Sequence, residues 1–354
     1  MKKLITIVTS LILTVVMNSY TFAAGDDANL QLLGSFKRTD AAMGESIPQD
    51  TKFAVLEVGM NKKGEIDNLT KLIKPNLGLI TNISYAHIEN FKNLNKIAQA
   101  KGEVINNIVP GGTIVINRDD KYYNYFLNKS KNHKLKIITF SKKNKNANVV
   151  FLNQKKNKKK YLINLKINNK KKSFLISKDL YNYKENILAS LSVIINYFDI
   201  EDLNKNLFLN FNIPKSRGSV INHKRGLKKL TIIDESYNSN PLSFKFALEK
   251  FDSTYKENNK KFLLIGNMLE LGKYSQKLHI KIAKYINQSK INKVYTFGKL
   301  TKHTFNKLKP QMRGKMLVKD MDILNLINKD LPNNSFLMVK GSNSTGLNKI
   351  IQNL

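Results

Sequence analysis

Three consecutive segments decide the fold: Phe53-Ala54-Val55-Leu56-Glu57-Val58, Glu65-Ile66-Asp67-Asn68-Leu69-Thr70-Lys71-Leu72-Ile73 and Leu77-Gly78-Leu79-Ile80-Thr81-Asn82. The first and third are short, β-rich apolar runs, and the second carries apolar residues at helical spacing. The alternation continues through Leu94–Ile108, read as a helix, and Thr113–Asn117, read as a strand. Strands alternating with helices predict βαβ units and a mostly parallel sheet. Between about Val149 and Ile176 the pattern changes to short strands with Lys/Asn turns, including Tyr161–Ile167 and Ser173–Ile176, which predicts a small antiparallel addition. A helix over Glu185–Tyr197 follows, with Ile187, Leu188, Leu191 and Ile194 on one face.

A second alternating series begins near Leu230. Its predicted strands are Leu230–Asp234, Phe262–Gly266, Lys293–Phe297, Lys315–Val318 and Phe336–Lys340. The fold class is therefore α/β: an incomplete P-loop-type, mostly parallel sheet domain, then a Rossmann-like α/β domain. The expected domains are 51–225 and 226–354. Residues 1–23 read as a signal peptide and 24–50 as a linker. Lys2 and Lys3 precede the apolar run Leu4–Val16, and Thr21-Phe22-Ala23-Ala24 offers small residues for cleavage. A buried strand at Leu4–Ser10 is the alternative. Beyond the leader, no segment reaches membrane-spanning length.

The chain has 354 residues, no cysteine and a formal net charge of +34. Without cysteine, disulfides and thiolate metal sites are excluded. Much of the charge lies in the Lys/Asn runs Lys142–Asn146, Gln154–Lys160 and Asn168–Lys172. These lack interleaved aromatics and arginines, so they read as solvated surface, with no specific nucleic-acid partner.

In open α/β sheets, ligands bind at the carboxyl ends of the strands. Glu57, Asn82, Asn117, Asp119, Asp234 and Lys340 all fall at or just after a predicted strand end, with His87 shortly beyond Asn82. Together they point to a ligand cleft between the domains. Spacing alone leaves magnesium, zinc or no metal open, because histidine is an unusual magnesium ligand.

Several of these motifs resemble the Mur ligases. They are Glu57-Val58-Gly59-Met60 with Gly64-Glu65-Ile66, Thr81-Asn82-Ile83-Ser84-Tyr85-Ala86-His87, and Ile97-Ala98-Gln99-Ala100-Lys101-Gly102-Glu103. Asp234-Glu235-Ser236-Tyr237-Asn238-Ser239-Asn240-Pro241, Gly266-Asn267-Met268-Leu269-Glu270-Leu271-Gly272 and Lys340-Gly341-Ser342 complete the set. The resemblance implies a role in peptidoglycan precursor synthesis, as ATP-dependent amide-bond formation through an acyl phosphate. The partners implied are a UDP-MurNAc-tripeptide and D-Ala-D-Ala, and the protein would be a monomer.

By the same resemblance, Glu57, His87 and Lys101 hold Mg2+, with Lys101 carbamylated. Asn117 and Asp119 lie on the adenine and ribose side of ATP, and Arg217 lies near its terminal phosphate. Asp234, Asn238 and Asn240 contact nucleotide, and Lys340 and Ser342 belong to the substrate side. Catalysis would fall to Lys101, His87 and Arg217.

Three departures stand beside the resemblance. The phosphate-loop pattern G-x-x-x-x-G-K-[ST] does not occur in the 354 residues. Gly272-Lys273, Gly298-Lys299 and Gly314-Lys315 lack both the upstream glycine and the following Ser or Thr. The family's N-terminal UDP-binding domain reads as replaced, and Asn267 stands where the family usually has aspartate. Two alternatives follow: an inactive remnant with residual nucleotide or metal binding, and an exported basic binding protein. The family role places the chain in the cytoplasm, whereas the leader would send it out.

Overall fold

The computed structural model describes residues 53–157, 160–211, 213, 216–226, 228–254 and 260–354, together with Thr9, Ile12 and Leu30–Leu32. The rest of the expected leader and linker lies outside the described residues. At Thr9 the backbone is helical, not extended. The chain divides into two units, one holding Ala24–Ile83 and Asn93–Asn212, the other Ser84–Lys92 and Ile213–Leu354. Among the described residues, no helix is long and apolar enough to cross a membrane.

The first unit is built on a six-stranded sheet in the order β3-β4-β5-β6-β7-β8. Its strands are β3 (Leu77–Ile80), β4 (Thr113–Asn117), β5 (Lys136–Ser141), β6 (Val149–Asn157), β7 (Lys160–Ile167) and β8 (Lys170–Ile176). Pairings from β3 to β6 are parallel, and those from β6 to β8 are antiparallel. The expected antiparallel addition therefore extends the parallel sheet. Asn168 and Asn169, both at positive φ, make the two-residue turn between β7 and β8, the conformation that matches the twist of a hairpin. Lys142–Asn146 and the Lys/Asn turn at 168–171 are exposed, as a solvated surface requires.

The expected strand Phe53–Val58 is only partly formed. Leu56–Val58 (β2) pairs antiparallel with Leu30–Leu32 (β1), outside the six-stranded sheet. A short strand must satisfy its backbone groups with whatever edge is presented, and here β1 presents it. The helix expected over Leu94–Ile108 is α2 (Leu94–Lys101), giving way at Gly102 to a 3-10 turn over Gly102–Asn107.

That tighter turn carries Glu103 to the start of α1 (Glu65–Ile73). The residue preceding α1 is Gly64, which has no side chain with which to cap the helix. Glu103 supplies the missing acceptors, taking hydrogen bonds from the N–H groups of Gly64 at 2.9 Å and Asp67 at 3.2 Å. An anion here also suits the positive end of the helix. Two further elements had no legible pattern in the sequence, α3 (Tyr123–Asn132) and β5. Helix α4 (Lys184–Ile194) is buried on all faces, not on one, with Ile187, Leu188, Leu191 and Ile194 inaccessible to solvent.

The second unit carries a six-stranded sheet in the order β13-β12-β11-β14-β10-β9. Its strands are β9 (Ser219–Arg225), β10 (Lys228–Glu235), β11 (Lys261–Gly266), β12 (Lys293–Phe297), β13 (Arg313–Leu317) and β14 (Ser335–Lys340). All pairings are parallel except β9 with β10. The contact division falls at 212/213, and β9 and β10 form one hairpin within the second unit. Helices α5 (Pro241–Thr254), α6 (Ser275–Asn287), α7 (Lys302–Phe305), α8 (Asp320–Asn325) and α9 (Leu347–Gln352) accompany this sheet. Its core joins Ile232, Leu264, Leu337 and Val339 to Ile323, Leu326, Leu347 and Ile351.

Glu103→Ala strands the N–H groups that its carboxylate accepts. It should cost about 2 kcal/mol, read as a lower urea midpoint with an unchanged m-value, while Glu103→Gln should cost less.

Candidate functional site

In the first unit the polar residues converge on Lys101, the last residue of α2. Its ammonium donates to the carbonyl oxygen of Asn82, just beyond β3, at 3.1 Å. Burial pushes the Lys101 pKa down, and the carboxylates of Asp120 and Glu57 pull it back. Glu57 sits in β2 and is 5% exposed. The Asp120 carboxyl is pushed up by burial, and is held down by the N–H groups of Tyr122 at 2.8 Å and Ile83 at 2.9 Å and by Lys101.

Asp120 is the carboxylate that sequence reading missed. Two adjacent aspartates lie in the turn after β4, and period-two patterning cannot say which of them turns toward the helix. Asp119, the residue expected there, is committed to β5: its oxygens accept from Ser141 Oγ and from Lys142 N–H. Asn117 Nδ2 donates to Thr81 O at 3.0 Å, and its Oδ1 accepts from Asp119 N–H at 2.9 Å. Asn117 and Asp119 thus join the ends of β3, β4 and β5. The Asn82 Nδ2 donor is buried with no protein acceptor, a group that a bound oxygen ligand would satisfy.

In the second unit the centre is Lys340, the last residue of β14 and 1% exposed. It donates to Asn238 O at 2.8 Å, and its ammonium lies 3.8 Å from Glu235 Oε2. Burial lowers its pKa, Glu235 and Asp234 raise it, and Arg217 lowers it further. The Arg217 guanidinium stacks on the Tyr237 ring at 4.0 Å. Glu235 Oε1 and Ser239 Oγ are buried without protein partners.

Several expected site residues are engaged inside the fold. Asp234 accepts from Ser216 Oγ at 2.8 Å and from Ser236 N–H at 3.0 Å. Asn240 caps α5, its Oδ1 accepting from Leu242 N–H and Ser243 N–H at 3.0 Å each. Ser342 Oγ accepts from Leu269 N–H at 3.0 Å, tying two strand-end loops together. Asn267 accepts from Leu300 N–H at 3.1 Å. It packs so closely on Gly298 that a Cβ there would lie 2.6 Å from its Nδ2.

His87 belongs to the second unit, whereas Glu57 and Lys101 belong to the first. His87 Nδ1 lies 2.8 Å from Glu270 Oε2. Among the described residues, no group of three or more His, Cys, Asp or Glu side chains could hold a metal ion.

The loop bearing Glu270 is shaped by His279, another residue sequence reading passed over. Its ring is fully buried in α6. Nε2 accepts from Met268 N–H at 3.1 Å, and Nδ1 donates to Ser275 O at 2.8 Å. An acceptor at Nε2 fixes the neutral ring.

Two α/β units thus carry polar groups gathered at their strand ends. Residues 9–194 match the Mur ligase middle domain, and residues 217–343 match the Mur ligase glutamate ligase domain. The chain belongs to the Mur ligase family. Over 307 residues it is 32% identical to the UDP-N-acetylmuramoyl-tripeptide--D-alanyl-D-alanine ligase of Rickettsia prowazekii (strain Madrid E), covering 86% of this chain and 67% of that protein. It is 28% identical over 330 residues to the enzyme of the same name from Bacillus subtilis (strain 168), covering 87% and 65%. It thus spans about two thirds of the length of these relatives. Among solved structures, MurF from Acinetobacter baumannii superposes with a TM-score of 0.77 at 19% identity, covering 98% of this chain and 73% of that one. MurF ligase from Thermotoga maritima in complex with ADP gives 0.69 at 20% identity, covering 98% and 76%. The class read from sequence and the two-sheet α/β architecture are both borne out.

Burial holds the His279 pKa below its ordinary value of 6.5, reinforced by the nearby His303. A depressed folded pKa gives stability that is present above the unfolded value and lost as pH falls through the folded one. Stability should therefore fall below about pH 6.5, and the slope should flatten in His279→Gln, checked by urea melts across pH.

Proposed function

We propose that this chain serves the ligation that joins D-Ala-D-Ala to a UDP-MurNAc-tripeptide through an amide bond. The observation that carries the reading is Lys101: a partly buried amine donating to Asn82 O just beyond β3, whose pKa burial lowers while the carboxylates of Asp120 and Glu57 raise it. A surface lysine has no need of such surroundings. A neutral amine is the form that takes up carbon dioxide, and the resulting carbamate is an anionic oxygen donor. Family membership and the named relatives support the same substrates.

The donor chemistry of Glu57 and carbamylated Lys101 fits a hard divalent cation. Magnesium, when bound, would neutralise charge on phosphoryl and acyl oxygens. ATP would supply the phosphoryl group that activates the peptide carboxylate. The phosphate-loop pattern G-x-x-x-x-G-K-[ST] is absent from the sequence.

The remaining roles fall to the chain's own side chains. Lys340 and Arg217 hold fixed positive charge at the strand ends of the second unit, where an anionic substrate group gains most from a preorganised cation. Asn117 and Asp119 hold the loop after β4 in shape, and Asp234 does the same for the loop after β10. Asn238 offers its carbonyl to Lys340 and keeps that ammonium in place. Asn240 fixes the start of α5, and Ser342 ties the β14 loop to the loop after β11.

The absent phosphate loop favours a second reading, a retained ligase scaffold without turnover. An assay of phosphate release with ATP, UDP-MurNAc-tripeptide and D-Ala-D-Ala separates the two. Ligation should proceed and fall by at least about 100-fold in Lys101→Ala, the scale expected for loss of a preorganised charge. Absence of turnover in the unaltered chain selects the second reading.

A further inference from the structure

We propose that Tyr237 is a positioning residue for Arg217, its ring fixing the plane of the guanidinium so that an anionic oxygen meets the N–H edge. The proposal rests on the reading of Arg217 as a contact to substrate phosphate and adds the group that orients it. The guanidinium carbon lies 4.0 Å from the Tyr237 ring centroid, and Arg217 is 6% exposed. A desolvated cation over a ring face is held more firmly than one at a wet surface.

The backbone is contorted to bring the two together. Arg217 stands between Ser216 at φ of 58° and Gly218 at φ of 96°, both in the left-handed region. A serine there is held against a steric cost, and persists only where its surroundings over-determine it. One carboxylate supplies most of those surroundings. Asp234, in β10, accepts through Oδ2 from Ser216 Oγ at 2.8 Å and through Oδ1 from Ser236 N–H at 3.0 Å. Ser216 and Ser236 immediately precede Arg217 and Tyr237, so a single side chain sets the starting point of both partners. Tyr237 N–H ties the two segments again by donating to Ser216 O at 3.2 Å, and Gly218 N–H donates to Asp234 O at 2.7 Å. Ser216 Oγ also accepts from Gln352 Nε2 at 2.9 Å, and Ser216 N–H donates to Ser219 Oγ at 3.2 Å.

The chemical consequence follows from the guanidinium itself. Its donors lie in one plane, and a ring against its face engages none of them. A neutral ring also anchors the cation without neutralising it, as a carboxylate would, so the charge stays on offer to an anion. An arginine without the ring keeps that charge but loses its fixed plane, and ordering the side chain on binding then weakens affinity. The ring does this work and the hydroxyl does not, which makes phenylalanine the conservative variant.

The test uses the full chain labelled with 15N, in which Arg217 is assigned among the five arginines by its loss in Arg217→Lys. Its Nε–H resonance should be moved upfield by the ring current in the unaltered protein and in Tyr237→Phe. In Tyr237→Leu it should return to the position of a free arginine. Tripolyphosphate, titrated against the same resonance, should bind about 10-fold more weakly in Tyr237→Leu and with little change in Tyr237→Phe. An Arg217 resonance left in place by Tyr237→Leu overturns the proposal, as does an affinity lost equally in Tyr237→Phe. If tripolyphosphate leaves the Arg217 resonance of the unaltered chain unmoved, the reading of Arg217 as a phosphate contact fails, while the ring-current shift still decides the role of Tyr237.

Discussion

Each unit of this chain sets a lysine among oxygens beside the carboxyl end of a parallel sheet, Lys340 fully buried and Lys101 partly so, and that constraint organises what surrounds it. A buried ammonium is tolerated only where carbonyl and carboxylate oxygens replace its water. Lys101 has Asn82 O with Glu57 and Asp120 nearby; Lys340 has Asn238 O and Glu235. In both places the supporting oxygens come from strand ends and the loops that follow them. The loops must therefore be held in shape, and Asn117, Asp119, Asp234, Asn240 and Ser342 do so with their hydrogen bonds. Burial lowers the pKa of both lysines, and the neighbouring carboxylates raise them again.

The parallel series of the second unit was legible because its strands are unbroken apolar runs, as in Phe262-Leu263-Leu264-Ile265-Gly266 and Phe336-Leu337-Met338-Val339-Lys340. Strands buried on both faces are written that way. Strand β9 was missed because Ser219–Arg225 mixes His, Lys, Arg and Asn, as an edge strand can. Helix α3 and strand β5 were hidden by the Lys/Asn bias, which dilutes periodicity between Tyr123 and Ser141.

The candidate site was legible as residue types at strand ends, and less so as geometry. Asp119 and Asp120 are adjacent, and only the structure turns Asp120 toward Lys101 while Asp119 clamps β5. Glu270 and His279 lie on a loop and a helix after β11, far in sequence from His87, so no local pattern joins them. Gly272 belonged to the matched motif, and its need for a left-handed backbone emerges only from its closeness to Glu89. The absence of the phosphate-loop pattern was readable from sequence alone, since a pattern is either written or not.

The central claim is that Lys101, set beside Asn82 O with Glu57 and Asp120 near, is the amine that takes up carbon dioxide in the first unit. It is tested most directly by 13C NMR of the protein equilibrated with 13C-bicarbonate. The account predicts a carbamate resonance that persists in Lys340→Met and disappears in Lys101→Ala. A spectrum with no carbamate signal, or one unchanged in Lys101→Ala, would contradict it.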